Sequence, residues 1–157
     1  MESSYHENYI KQLQRLLHTV AKSEKKLIDA SDHIVSEEYK NLIDKYAEER
    51  IIIISELQEA IAQLGGTHTN VESEIGIHHP ITGLGTMPNS KKEQSILEQV
   101  RNSERDALET YDDVLQGSIL EEFNLKTLLM GHRLAINEAF TELDKRYFAL
   151  FKLSEPY

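Results

Sequence analysis

Cysteine and tryptophan are absent from this sequence, and its 157 residues include only three prolines and seven glycines. Without cysteine there can be no disulfide, thiolate zinc site, iron–sulfur cluster or cysteine nucleophile, so any metal must be held by oxygen or imidazole. Few prolines and glycines in a chain rich in Leu, Ile, Glu, Lys and Ala favour helices over sheets. Long apolar runs are also missing. Ile51 to Ile54 covers four residues, far below the roughly 20 needed to cross a bilayer. The N-terminal Met1-Glu2-Ser3-Ser4-Tyr5-His6 lacks the basic run and apolar stretch of a secretory signal. The expectation is a cytoplasmic, bacterial-type protein with no membrane partner.

Positive charge is the next scarcity, with 17 Lys and Arg against 27 Asp and Glu and a formal net charge of -10. Binding to phosphates needs clustered basic side chains, and here they are scattered among acids, so no nucleic-acid partner is expected. Metal cations and basic partners are attracted instead. A chain of this length fits one domain that buries roughly 70% of its unfolded surface.

What is present is helical periodicity with end signals. Ser4-x-x-Glu7 reads as a capping box before Ile10, Leu13, Leu17, Val20, Leu27 and Ile34, giving a first helix over about 5–34. Ser36 caps a second over about 37–64, ended by Gly65-Gly66. Ser90-x-x-Glu93 opens a third over about 91–116, closed by Gly117, and Ser118-x-x-Glu121 opens a fourth over about 119–153. Short turns near Val35 and Gly117 make each pair antiparallel, and residues 67–89 form a crossover long enough to run the length of a bundle. The fold class is therefore all-α: a single four-helix bundle of two antiparallel hairpins joined by a long crossover.

The two hairpins echo each other. Leu17, Val20, Ser23, Glu24 and Asp32 recur eighty residues later as Leu97, Val100, Ser103, Glu104 and Asp112. Continuing the apolar register places Glu24 and Glu104 on the seams of the first and third helices. The register of Leu42 and Tyr46 places Glu49 on the second, and that of Leu125 and Leu128 places His132 on the fourth. Counted from the turns, all four lie near one level. Acidic side chains on a seam cost free energy unless protonated, paired or bound to metal. Glu24, Glu49, Glu104 and His132 are thus the candidate metal ligands, an oxygen-rich set suited to iron or manganese. The alternative is that each glutamate reaches solvent or accepts a hydrogen bond from Tyr46 or Tyr111.

At these residues, and in Glu56-Leu57-Gln58, Leu64-Gly65-Gly66 and the run from Glu104 through Ala107 and Tyr111 to Leu115, the chain resembles the ferritin-like superfamily. The likeness is to its small bacterial four-helix domains of unassigned function. That resemblance implies one glutamate from each of two helices, matched by Glu24 and Glu104, and a Glu-x-x-His pair from each of the other two. Glu49 supplies the first half of one such pair. Ile52 stands where its histidine belongs, and His132 is followed by Ala135. An intact di-iron oxidase is therefore not expected, unless Glu48, Glu56 or Glu138 serve as unconventional ligands. The implied function is a stress- or metal-related bundle with a degenerate site and no clear enzymatic activity. The competing reading is a non-catalytic scaffold or protein-interaction module without metal.

Other features carry less. His78-His79-Pro80 in the crossover is a second, weaker metal candidate, and His18 and His33 fall off the seam toward water. Gly83-x-Gly85 has neither strand nor helix in register for a phosphate loop. Ile51-Ile52-Ile53-Ile54 cannot face one core, because successive helical residues lie about 100° apart. Ile51 then points outward, which fits either a homodimer through this face of the second helix or an isolated exposed isoleucine.

Overall fold

The computed structural model describes residues 2–67, 81–117, 119 and 122–154, without the side chains of 2–4 and 151–154. These residues form α1 (Glu2–His33), α2 (Glu37–Gln63), α3 (Asn89–Leu115) and α4 (Phe123–Ser154), with no strand among the described residues. The fold is the expected four-helix bundle of two antiparallel hairpins. Among the described residues no helix is long and apolar enough to cross a membrane.

Helix ends follow local chemistry where the chain supplies it. Ser36 accepts the Tyr39 N–H at 3.3 Å and starts α2. Gly65, at φ +85°, ends it in a Schellman turn: Gly66 N–H bonds the Ile61 carbonyl and Gly65 N–H that of Ala62, both at 3.0 Å. A Cβ on Gly66 would come within 2.9 Å of the Ile10 side chain, so the turn docks tightly on α1. Three expected starts differ. α1 begins at Glu2, so Ser4 and Glu7 fall inside it. α3 follows Pro88 with no side-chain cap, and Glu93 reaches across the bundle to accept the Val35 and Ser36 N–H groups at 3.1 and 2.6 Å. Ser118 and Glu121 lie outside the described residues, and Glu122 caps α4 by accepting the Leu125 N–H at 2.6 Å.

That Glu93 contact sets the start of α3 beside the α1–α2 turn, so α3 runs antiparallel to α1. The crossover leaves α2 at Thr67, whose carbonyl accepts from Gln14 on α1. It is recovered at Ile81, whose N–H donates to Asp29 at 2.5 Å. Fifteen residues of α1 separate those anchors, about 22 Å of rise, and residues 68–80, the greater part of the expected crossover, lie outside the described residues. His78, His79 and Pro80 lie outside the described residues.

α1 packs along α2 and α3, and α4 along α3, whereas α2 and α4 meet only sparsely. The buried apolar side chains form two clusters. One gathers Leu13, Leu16, Val20, Ile53, Leu57, Ala107, Tyr111, Leu129 and Ile136. The other gathers Leu27, Ala30, Ile43, Tyr46, Leu97, Val100, Ala139 and Leu143. Between them, in chain position on three helices, lie three buried polar residues: Ser23, Arg50 and Glu104. The core is thus an apolar body with a polar layer at mid-height.

Candidate functional site: a buried ionic layer and the groove beside it

Each member of the layer sits where its helix demands an apolar side chain. Ser23 lies between Val20 and Leu27, Glu104 between Val100 and Ala107, and Arg50 between Ala47 and Ile53. Arg50 and Glu104 are 0% exposed. The guanidinium approaches the carboxylate side-on: Arg50 Nη2 donates to Oε2 at 2.6 Å and Nε to Oε1 at 3.4 Å. Ser23 Oγ donates to Oε1 at 2.5 Å. Glu104 therefore accepts three hydrogen bonds in a layer closed to solvent, the arrangement that compensates a buried charge. Arg50 Nη1 makes no hydrogen bond among the described residues, and Oε2 of Glu49 stands 3.9 Å from it.

His132 belongs to an adjoining pair of contacts. It is buried, and its Nδ1 lies 3.1 Å from the Tyr111 hydroxyl, the two rings meeting edge-on at 82°. Its Nε2 stands 3.4 Å from Glu56 Oε1. Burial lowers the His132 pKa below the ordinary 6.5 and the Arg50 charge adds to this, against an upward pull from Glu56. The imidazole is thereby kept neutral near pH 7. Burial likewise raises the Tyr111 pKa, so its hydroxyl stays protonated.

Of the four expected ligands, Glu104 and His132 face inward. Glu24 is half-buried, and Ser23 takes the inner position expected for it. Glu49 sits at the rim with its side chain 36% exposed. Among the described residues, no group of three or more His, Asp or Glu side chains is placed to hold a metal ion. Glu104 meets Ser23 and Arg50, and His132 meets Tyr111 and Glu56. The departure is local: Leu13, Leu17, Val20 and Leu27 of the expected α1 register and Tyr46 and Ile53 of the expected α2 register are buried, but at mid-height Ser23 is buried in place of Glu24 and Arg50 in place of Glu49. Glu48 and Glu138 are exposed.

Sequence reasoning missed Arg50 altogether, and it named Ser23 only as part of the echo and Glu56 only as an unconventional ligand, not as partners of Glu104 and His132. The signal for Arg50 was available: it lies seven residues after Ile43 and seven before Leu57, on the α2 seam. His33 is exposed as expected, while His18 is half-buried.

Where α2 and α4 diverge, a groove of about 430 Å³ opens, lined by Glu49, Ile52, Ile53, Glu56, Leu128 and His132 together with Ala135. Both positions that break the expected Glu-x-x-His pattern, Ile52 and Ala135, line it.

Fold and site together define an all-α bundle whose mid-height layer is ionic. One family profile, described as "Domain of unknown function (DUF2383)", matches residues 8–117. The chain belongs to that family. The matched stretch spans most of α1 and all of α2 and α3, and stops before α4, which carries His132. No curated protein and no solved structure matches the chain.

Proposed function

We propose that the protein is a non-catalytic, cytoplasmic member of the ferritin-like superfamily, a helical scaffold in which the Arg50–Glu104 pair replaces a mid-bundle metal. One observation carries the reading: a fully buried guanidinium donates to both oxygens of a fully buried carboxylate. Ferritin-like descent is supported by the two antiparallel hairpins, the anchoring of Thr67 and Ile81 at different heights on α1, and polar residues at mid-height. Iron or manganese held by Glu24, Glu49, Glu104 and His132 does not fit these residues. A fixed positive charge already lies 2.6 Å from Glu104, and a divalent cation at that carboxylate would be repelled by it. Oxidase activity and a metal-dependent stress role lose their support with it.

Metal analysis of protein purified without chelator tests the proposal, using wild type and Glu104→Ala. No stoichiometric iron or manganese is expected in either. One or two equivalents in wild type, lost in Glu104→Ala, would overturn it. A two-fold dimer belongs to the same reading, supported by Ile51 and Ile52 at 53% and 60% exposure on α2. Light scattering should give a two-chain mass for wild type and a one-chain mass for Ile51→Lys. A monomeric wild type would remove the dimer and leave the ion-pair reading intact.

A further inference from the structure

α4 is apolar on two sides. Its inner side is buried through Leu125, Leu129, Ile136 and Leu143. Its outer side, from Phe123 to Leu134, exposes Phe123, Asn124, Thr127, Met130, Gly131 and Leu134, none of them charged. On α3, by contrast, every exposed residue from Lys91 to Asp113 is charged. Phe123, Met130 and Leu134 are 74%, 52% and 60% exposed. A helix on the surface of a bundle carries charge on its outer face, and one that is apolar all round belongs against a second partner.

Gly131 stands in the middle of that stripe and is an independent observation. Glycine inside a helix weakens it relative to alanine, and it has a use where another backbone must come close. Nothing in the chain itself comes close, since a Cβ at Gly131 meets nothing within 4 Å. Two depressions share this glycine. On the α3 side about 650 Å³ is lined by Leu115, Met130 and Leu134, and on the α2 side lies the groove with Ile52 and Leu128. The outer surface of α4 is thus a ridge notched at Gly131, with a furrow on each side, the relief against which another helix packs.

We propose that the occupant is a second copy of this chain, its own α4 crossing α4 at Gly131 about a two-fold axis. The arrangement rests on the two-fold dimer of the proposed function and places its centre on α4, with Ile51 and Ile52 at the margin. Charge sets the sense of the crossing. One edge of the face is α2, with exposed Glu48 and Glu59. The other edge carries Lys126 and Arg133, the latter paired with Asp112. An axis running along α4 lays the α2 edge of each chain over the Lys126 edge of the other, with the two α4 helices parallel, whereas an axis across α4 would set acid on acid. Glu56 is level with His132, so Glu59, about one turn further along the antiparallel α2, comes near the height of Lys126. From Phe123 to Thr141 the face is about 27 Å long and, across two helices, about 20 Å wide. With side-chain relief that supplies the roughly 800 Å² per chain that a stable dimer buries.

Sedimentation equilibrium and thiol crosslinking of the full chain test the proposal. The chain has no cysteine, so a single introduced one reports its own surroundings. Thr127→Cys should be linked into a two-chain species by a short bis-maleimide, because a parallel crossing brings each residue of the stripe near its own copy. Lys11→Cys, at an exposed position on α1, should not be linked. Gly131→Leu should raise the dimer Kd about tenfold or more, the effect of overpacking a close contact, while circular dichroism verifies that it folds. Lys126→Glu should raise Kd about fivefold, and Glu59→Lys in the same chain should restore it. A dimer that Ile51→Lys breaks, but that tolerates Gly131→Leu and leaves Thr127→Cys unlinked, would overturn the α4 crossing alone. A monomeric wild type would overturn the crossing together with the dimer.

Discussion

Ser23 and Glu24 are adjacent in sequence and about 100° apart around a helix, and that angle determines which one enters the core. The echoed pair Ser103 and Glu104 makes the opposite choice, burying its glutamate. Ser23 of the first copy meets Glu104 of the second at 2.5 Å, while their counterparts Ser103 and Glu24 are only half-buried. Ser23→Ala should lower unfolding free energy by about 2 kcal/mol, the usual loss for a hydrogen bond to a charged group, measured by urea denaturation. His132 carries a pH prediction. Burial lowers its folded pKa below 6.5, so the unfolded chain takes up its proton first. Stability is then fully present above about pH 6.5 and is lost as pH falls through that value toward the folded pKa. The thermal midpoint of wild type should drop between about pH 7 and pH 5, and His132→Gln should show a shallower slope there. Glu104 and His132 were legible from apolar spacing alone. Arg50 was not, because a charged residue between Glu49 and four isoleucines reads by default as surface. Only its place midway between Ile43 and Leu57 marks it as core.

Among the helices, existence was easier to read than ends or rotation. All four follow from apolar period, and Ser36 and the Gly65-Gly66 stop are local signals that work as local signals. The start of α3 was not readable as built, because Glu93 does not cap its own helix. It accepts from Val35 and Ser36 at the opposite turn, a partnership across 57 residues that no local pattern encodes. Glu93→Ala should therefore loosen the α1–α2 turn, at a cost of about 1 kcal/mol, the range of a lost cap. Faster amide exchange at Val35 and Ser36 would accompany it. Gly131 gives the opposite sign. It lies inside α4, and a Cβ there meets nothing within 4 Å, so Gly131→Ala should stabilise by about 0.5 to 1 kcal/mol through helix propensity. Rotation was the hardest quantity. Leu42 and Ile43 are both apolar, and choosing the first as the seam brings Glu49 inward in place of Arg50.

Taken whole, the molecule is two apolar clusters held apart by one ionic layer, with a tight side along α1 and α3 and an open side between α2 and α4. That asymmetry separates a closed layer, in which guanidinium and carboxylate satisfy each other, from an open side where Ile52, Met130 and Leu134 are exposed. Replacing a buried pair by apolar residues is often neutral, whereas removing one partner leaves an uncompensated charge. A double-mutant cycle on Arg50→Met and Glu104→Met, followed by urea denaturation with chelator present, uses that contrast and tests the ionic layer most directly. Each single variant should lose about 3 to 5 kcal/mol, and the double variant should lose far less than the sum. Additive losses, or a wild type destabilised by the chelator alone, would contradict a metal-free ion pair at the centre of the bundle.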